Sequence, residues 1–463
     1  MSQSNWPPLT HAAFDNLYPH QREEVAKALF GRMGLLTGSP GTGKTVCVSA
    51  IARAVIDMHG PNSLAIFAPT GKAASRAKLA LYNNGVEFDV KTIHRTLKVE
   101  SADGGWSFQH GRTNHLPHRF LIGDEWSMVG TSLDCSVMEA RSRGTSFLRV
   151  GDCEQLAPVD CGAPFRDEIA VGMPRGNLTE IHRNAGTIVR VCAKIRDRQP
   201  FEFDEIIDLK SEPPKNLMLV QASRGTAQQK LMHTVQMIRD SSPFDAIWDL
   251  QVCCAVNKKS SLSRVELNNV LREELNPGEP SVKGSTFRVG DKVKCCKNSF
   301  FLLPGKNDRK ELVANGEFGK VLEVETKRVI VQFFAPDRTV LVPCSAERES
   351  NGDDKESGNG SDLQLAFAAT VHSMQGSSAP LIIGTLDEYP GATGQYGVCD
   401  RSWLFTLISR AEKAGFLVGQ KLTAMAMCAR QFIHRRKTFM VEDIRTMAAK
   451  AGVALKTNEK DLW

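Results

Sequence analysis

No run of about 18 apolar residues occurs in this 463-residue chain, so no helical membrane span is expected. The start, Met1-Ser2-Gln3-Ser4-Asn5-Trp6-Pro7, lacks the basic and then apolar pattern of a secretory signal. Twelve cysteines are scattered without one C-x-x-C, although Cys253-Cys254 and Cys295-Cys296 are adjacent. That argues against zinc ribbons and disulfide frameworks, and for a reducing, cytoplasmic setting. No internal repeat is found. Excess charge is also scarce: a net charge of +6 permits a nucleic-acid partner without establishing one.

The composition that is present, 41% apolar and 24% charged, is that of a soluble protein, and the length calls for two to four domains. The most informative stretch is Gly38-Ser39-Pro40-Gly41-Thr42-Gly43-Lys44-Thr45, which fits G-x-x-x-x-G-K-[ST]. Leu35-Leu36 leads in as the end of a buried strand. Val46, Val48, Ile51, Ala52, Val55 and Ile56 follow at helical spacing. Strand, glycine-rich turn and helix form a phosphate cradle. Gly38, Gly41 and Gly43 let backbone N–H groups, Thr42 among them, close around phosphate oxygens at a helix N-terminus. Lys44 is placed on the β/γ-phosphates and the Thr45 hydroxyl on Mg²⁺. A chance glycine turn is the alternative, and the flanking elements argue against it.

The rest of the chain reads as alternating strands and helices. A short amphipathic helix is expected over residues 19–30, and further strands at Leu64-Ala65-Ile66-Phe67, Phe120-Leu121-Ile122 and Phe147-Leu148-Arg149-Val150. Helical stretches between strands imply parallel pairing, with ligands at the strands' carboxyl ends. Residues 98–117 break the rhythm: a Gly104-Gly105 turn signal before Trp106-Ser107-Phe108 predicts a small hairpin. A second α/β section begins near residue 186, with strands expected at 217–220, 251–256, 366–370, 381–383 and 404–407. Short alternating β-rich stretches within 283–345 predict a small inserted barrel, and the polar residues 347–361 a flexible surface loop. The tail from residue 421 is helical in pattern and carries a basic cluster with His434-Arg435-Arg436.

Several polar strings fall at predicted strand ends. Asp124-Glu125 offers a Mg²⁺ anchor, Asp124, beside a general base for water, Glu125; a solvated acidic pair in a turn is the plainer alternative. Gln155, after the strand 147–150, can bond both a γ-phosphate and the attacking water. Arg183 and Arg410 lie near element ends, where paired arginines would stabilise transition-state charge; either alone reads as a surface salt bridge. Thr370-Val371-His372-Ser373-Met374-Gln375-Gly376-Ser377 has hydroxyls, an imidazole and backbone N–H groups suited to single-strand phosphates. By itself it reads as a capped helix start.

Taken in order, these strings resemble the helicase motifs of superfamily 1, nearest to the RecD-like and phage Dda-like group that moves 5′ to 3′. The resemblance implies an α/β fold of two RecA-like P-loop domains. Domain 1A would comprise residues 1–97 and 118–185, and the 1B pin hairpin 98–117. Domain 2A would comprise 186–282 and 362–463, with an SH3-like 2B insertion at 283–361. It assigns Gln21 to adenine, Gly376 to the nucleotide, and Pro69, Thr70, Lys72, His94, Thr370 and His372 to the DNA strand. Trp106 or Phe108 would stack on a base at the fork, or else form a small satellite core. The chain departs from the family at Gly123 and Trp126, around Asp124-Glu125. It departs again at Ser373 and Met374, at Ser378, where a ribose-holding glutamate is missing, and at Asn184.

The activity so implied is ATP-dependent 5′-to-3′ DNA unwinding, with ATP and Mg²⁺ as cofactors. ATP would sit between the two domains. The implied partners are single-stranded DNA, single-strand/duplex junctions, and single-strand-binding or recombination proteins. The alternatives are a translocase that moves along single-stranded DNA without separating strands, and the helicase subunit of a recombination complex. No nuclease carboxylate cluster is evident in the sequence.

Overall fold

The computed structural model describes residues 5–102, 105–180, 186–279, 282, 285–334, 337–343, 362–394, 397–431 and 440–452. By its contacts the chain forms two units, Met1–Ala185 with Gln431–Trp463, and Gly186–Arg430. The helix Met440–Lys450 packs on the helix Pro164–Ala170 of the first unit, whereas the sequence placed the tail with the second α/β domain.

The first unit is built on one six-stranded sheet. Its strands are β1 (Met33–Gly38), β2 (Leu64–Ala68), β3 (Val90–Thr92), β6 (Phe120–Gly123), β7 (Ser146–Gly151) and β8 (Arg175–Leu178). The order is β3-β2-β6-β7-β1-β8, and every pairing is parallel. Side chains alternate across such a sheet. Leu36, Ile66, Ile122 and Leu148 accordingly enter one core, shared with helices α1 (Pro19–Ala28), α2 (Lys44–His59) and α3 (Gly71–Asn83). Leu35, Phe67, Leu121 and Phe147 enter the other, with Trp126, Val137 and Phe165. Both faces are covered, which is why these strands read as unbroken apolar runs. In α2 the buried stripe is Cys47, Val48, Ile51, Ala52 and Val55, while Val46 is exposed.

The expected hairpin is present as β4 (Val99–Ala102) and β5 (Gly105–Phe108), paired antiparallel with Val99 opposite Phe108. The second unit carries a five-stranded parallel sheet. It is made of β9 (Leu217–Gln221), β10 (Leu250–Cys254), β18 (Ala368–Thr370), β19 (Ala379–Thr385) and β20 (Ala411–Gly419), in the order β18-β10-β19-β20-β9. One expected strand is a helix: residues 404–407 lie in Arg401–Ser409, and the strand is β20, directly after it. The Asp400 carboxylate caps that helix by accepting the Trp403 N–H at 2.9 Å. The helix is buried on all sides, so its short apolar run shows no helical period to read.

Between β10 and β18 the chain makes a seven-stranded antiparallel sheet. Its strands are β11 (Lys292–Cys295), β12 (Ser299–Leu303), β13 (Lys306–Val313), β14 (Phe318–Val324), β15 (Arg328–Phe334), β16 (Asp337–Pro343) and β17 (Leu363–Leu365). Alternate residues of β15 and β16, such as Val329, Val331, Phe333, Val340 and Val342, close one core. The expected loop 347–361 lies outside the described residues.

Lys292 ties this sheet to its neighbour. Its buried ammonium donates to the carbonyls of Ile247 (2.7 Å) and Leu250 (2.9 Å). Burial pulls its pKa down from 10.5 to about 8. Between those values the unfolded chain holds a proton that the folded chain has released. Stability owed to this group therefore rises with pH across that window. The melting temperature of the wild type, relative to a Lys292→Met variant, is expected to climb from pH 8 towards pH 10.5. A flat difference would mean that Lys292 does not titrate there.

Candidate active site

Parallel registry sets out the site. Thr37 stands opposite Gly151, and Gly123 opposite Arg149, so the carboxyl ends of β1, β6 and β7 lie together. The loop leaving β1 turns through Gly41 (φ 81°) and Gly43 (φ 88°), left-handed conformations open to glycine at little cost. Thr42 closes the turn by donating its hydroxyl to the Ser39 carbonyl at 2.8 Å. The Lys44 ammonium bends back into the cradle, onto the carbonyls of Gly38 and of Ser39, the latter at 3.3 Å. Thr45 is exposed in the first turn of α2. Gln21 is buried behind the loop: its amide nitrogen donates to the Thr42 carbonyl at 3.2 Å, and its oxygen accepts the Tyr18 N–H.

The next strand end brings the carboxylates. Asp124 is pushed up from 3.8 to about 6, chiefly by burial and then by the neighbouring Glu125 charge. The Glu125 N–H, bonded to Asp124 at 2.9 Å, and the charges of Lys44 and Arg76 act the other way. Glu125 itself has φ 52°, unusual for a residue with a Cβ. One of its carboxylate oxygens lies 3.9 Å from the Arg76 guanidinium; the other is buried with no hydrogen-bond partner.

Gly123 and Trp126, the two departures beside this pair, explain each other. A Cβ at position 123 would stand 2.4 Å from the Trp126 ring. The missing side chain thus makes room for a fully buried indole, whose N–H donates to Asp134 at 2.8 Å.

Asp152 is a further candidate, not singled out from the sequence. It is buried, and burial raises its pKa while the nearby Lys44 charge lowers it. The signal was available: β6 and β7 both run into Gly-Asp, at Gly123-Asp124 and Gly151-Asp152. Gln155 is buried in the same turn, its amide 3.5 Å from the Asp152 carboxylate.

The remaining expected residues fall around this centre or in the second unit. Pro69 and Thr70 follow β2, and the Thr70 hydroxyl caps α3 by accepting the Ala73 N–H; Lys72 lies in its first turn. His94 meets the Phe108 ring at 5.8 Å, and burial lowers its pKa. Phe108 packs against the core, so of the two hairpin aromatics it takes the satellite-core role. The Trp106 side chain and all of Arg183 lie outside the described residues.

In the second unit Thr370 ends β18 and His372 opens a short 3-10 turn, with Gly376 (φ 69°) just beyond. Arg410 is buried and clamps that loop, donating to the Ser377 carbonyl at 3.1 Å. Ser378, where the sequence lacks the family's glutamate, donates to the Glu412 carboxylate.

The chain is similar to several known proteins. A family model described as an AAA domain matches residues 21–160. The ATP-dependent RecD2 DNA helicase of Deinococcus radiodurans is 30% identical over 419 residues, 89% of this chain and 50% of that protein. Over most of its length the chain is thus similar to a RecD2 DNA helicase. The RecBCD enzyme subunit RecD of Mycolicibacterium smegmatis is 33% identical over 197 residues, 39% of this chain and 35% of that subunit. The chain thus spans half, or about a third, of the length of these RecD relatives. A solved structure of two coordinating Pif1 helicases at forked duplex DNA overlaps 94% of this chain and 98% of its own, at 18% identity and a TM-score of 0.48. That overlap is too distant to support an inference.

Proposed function

We propose that this RecD-like chain is an ATP-dependent DNA helicase that moves 5′ to 3′ along single-stranded DNA and opens duplex ahead of it. One observation carries the reading: Lys44, Asp124, Glu125, Asp152 and Gln155 gather at the ends of adjacent parallel strands around a phosphate loop. Lys44 binds the β/γ-phosphates, and Glu125 takes the proton of the attacking water. Gln155 orients that water, and Arg183 and Arg410 are the arginines assigned to the γ-phosphate. Gln21 and Gly376 are assigned to the nucleotide.

Thr45 and Asp124 fit a Mg²⁺ ion, since a carboxylate held near pKa 6 by burial is one that a cation would return to its charged form. The ion would supply neutralisation of phosphate charge. Pro69, Thr70, Lys72, His94, Thr370 and His372 are the proposed DNA contacts, β4–β5 the pin and β11–β17 the bracing insertion.

Purified protein should hydrolyse ATP far faster with single-stranded DNA than without. It should also displace a strand from duplex with a 5′ tail. Unwinding from a 3′ tail alone would overturn the polarity. Removing residues 98–117 should abolish unwinding while DNA-stimulated hydrolysis survives; loss of both would deny the hairpin its role. The likeness to RecD subunits favours a second reading, a helicase subunit working in a recombination complex. Co-purification of a stable partner that is needed for unwinding would support it.

A further inference from the structure

The ion pair between Arg76 and Glu125 has no part in the chemistry above. Arg76 lies on α3, four residues after Lys72, and therefore on the same helical face. That helix starts three residues beyond the end of β2. The end of β2 is in turn bound to the end of β6, because the Asp124 N–H donates to the Phe67 carbonyl at 2.9 Å. The helix proposed to meet DNA thus begins beside the proposed base.

The pair is built to part. Its closest approach is 3.9 Å, and the arginine side chain is 54% exposed against 15% for the glutamate. A pair of that length, open to solvent on its arginine side, is weak. A phosphate offers a guanidinium two parallel charge-assisted bonds in its place.

We propose that Arg76 is a positioning residue that couples single-stranded DNA to Glu125. Without DNA its guanidinium holds the Glu125 carboxylate. A DNA phosphate at the head of α3 takes the guanidinium and frees the carboxylate to accept a proton from water. Stimulation of hydrolysis by DNA is then a property of the first unit, set by one exchange of partners. This rests on the reading of Glu125 as the base and of α3 as a DNA contact.

The test measures ATP turnover with and without saturating oligodeoxythymidylate, in the wild type, Arg76→Ala, Arg76→Lys and Glu125→Gln, with melting temperatures alongside. In Arg76→Ala the DNA-free rate should rise about two- to fivefold, the yield of releasing a weak, solvent-screened pair. The DNA-saturated rate should hold within about twofold, so the stimulation ratio falls. Arg76→Lys keeps the charge and should restore part of the suppression. A purely structural role would lower the melting temperature and both rates together and leave the ratio unchanged.

An unchanged ratio in Arg76→Ala, with Glu125→Gln inactive, overturns the coupling and leaves the catalytic reading in place. Normal hydrolysis in Glu125→Gln removes the catalytic reading, and the coupling with it.

Discussion

Alanine at Lys44 is expected to cut ATP turnover by about 10²–10³-fold, the range seen when one charged or hydrogen-bonding stabiliser of a transition state is removed. The fold should survive. Lys44 is half-buried in the cradle and spends its hydrogen bonds on the carbonyls of Gly38 and Ser39, outside the apolar cores. Its charge also lowers the pKa of both Asp124 and Asp152, so its loss leaves two buried carboxylates with less compensation. Phosphate release, measured beside nucleotide binding and thermal melting, checks this. Near-normal turnover would take the loop out of the mechanism.

The largest expected loss of stability is at Trp126. Its ring is fully buried, meets Phe147 edge-on at 5.2 Å, and lies 5.9 Å from Phe67. Truncation to alanine should cost about 3–5 kcal/mol, as for other large aromatics in cores. The space cannot close from the facing side, where Gly123 has no side chain to move into it. Phenylalanine would refill most of the volume but leave the buried Asp134 without its indole donor, at a cost of about 1–3 kcal/mol. Urea denaturation of the three proteins measures both steps. If alanine and phenylalanine cost the same, the hydrogen bond dominates and the packing argument fails. Glu125 immediately precedes Trp126, so the alanine variant should also hydrolyse ATP poorly while still folded.

The strand-end motifs were legible because each is local. A phosphate loop needs its glycines and lysine at fixed spacing, and a parallel strand covered on both faces needs a continuous apolar run. Periodicity failed where the environment was uniform. Residues 404–407, apolar except for Thr406, are buried on every side, so nothing in the pattern separated the helix Arg401–Ser409 from a strand. The placement of Met440–Lys450 was out of reach as well, since a helical pattern does not say which core it serves.

Long-range polar pairing was beyond sequence reasoning for a related cause. Arg149 sits wholly buried in the middle of β7, where local pattern predicts a hydrophobe. Its guanidinium is bound by Glu168, 19 residues on, and lies 3.9 Å from Asp134. Burying a charge is tolerable only where such partners converge, and convergence is a property of the folded chain.

The sequence by itself determined the phosphate loop, the Asp124-Glu125 pair, the α/β alternation and the similarity to a RecD2 DNA helicase, because these depend on neighbouring residues and their order. Only the tertiary structure decided that Gly123 makes room for the Trp126 ring, that Glu412 reaches Ser378, and that Arg76 faces Glu125. Each of those rests on a distance between residues that the chain brings together by folding, and spacing along the sequence does not encode it.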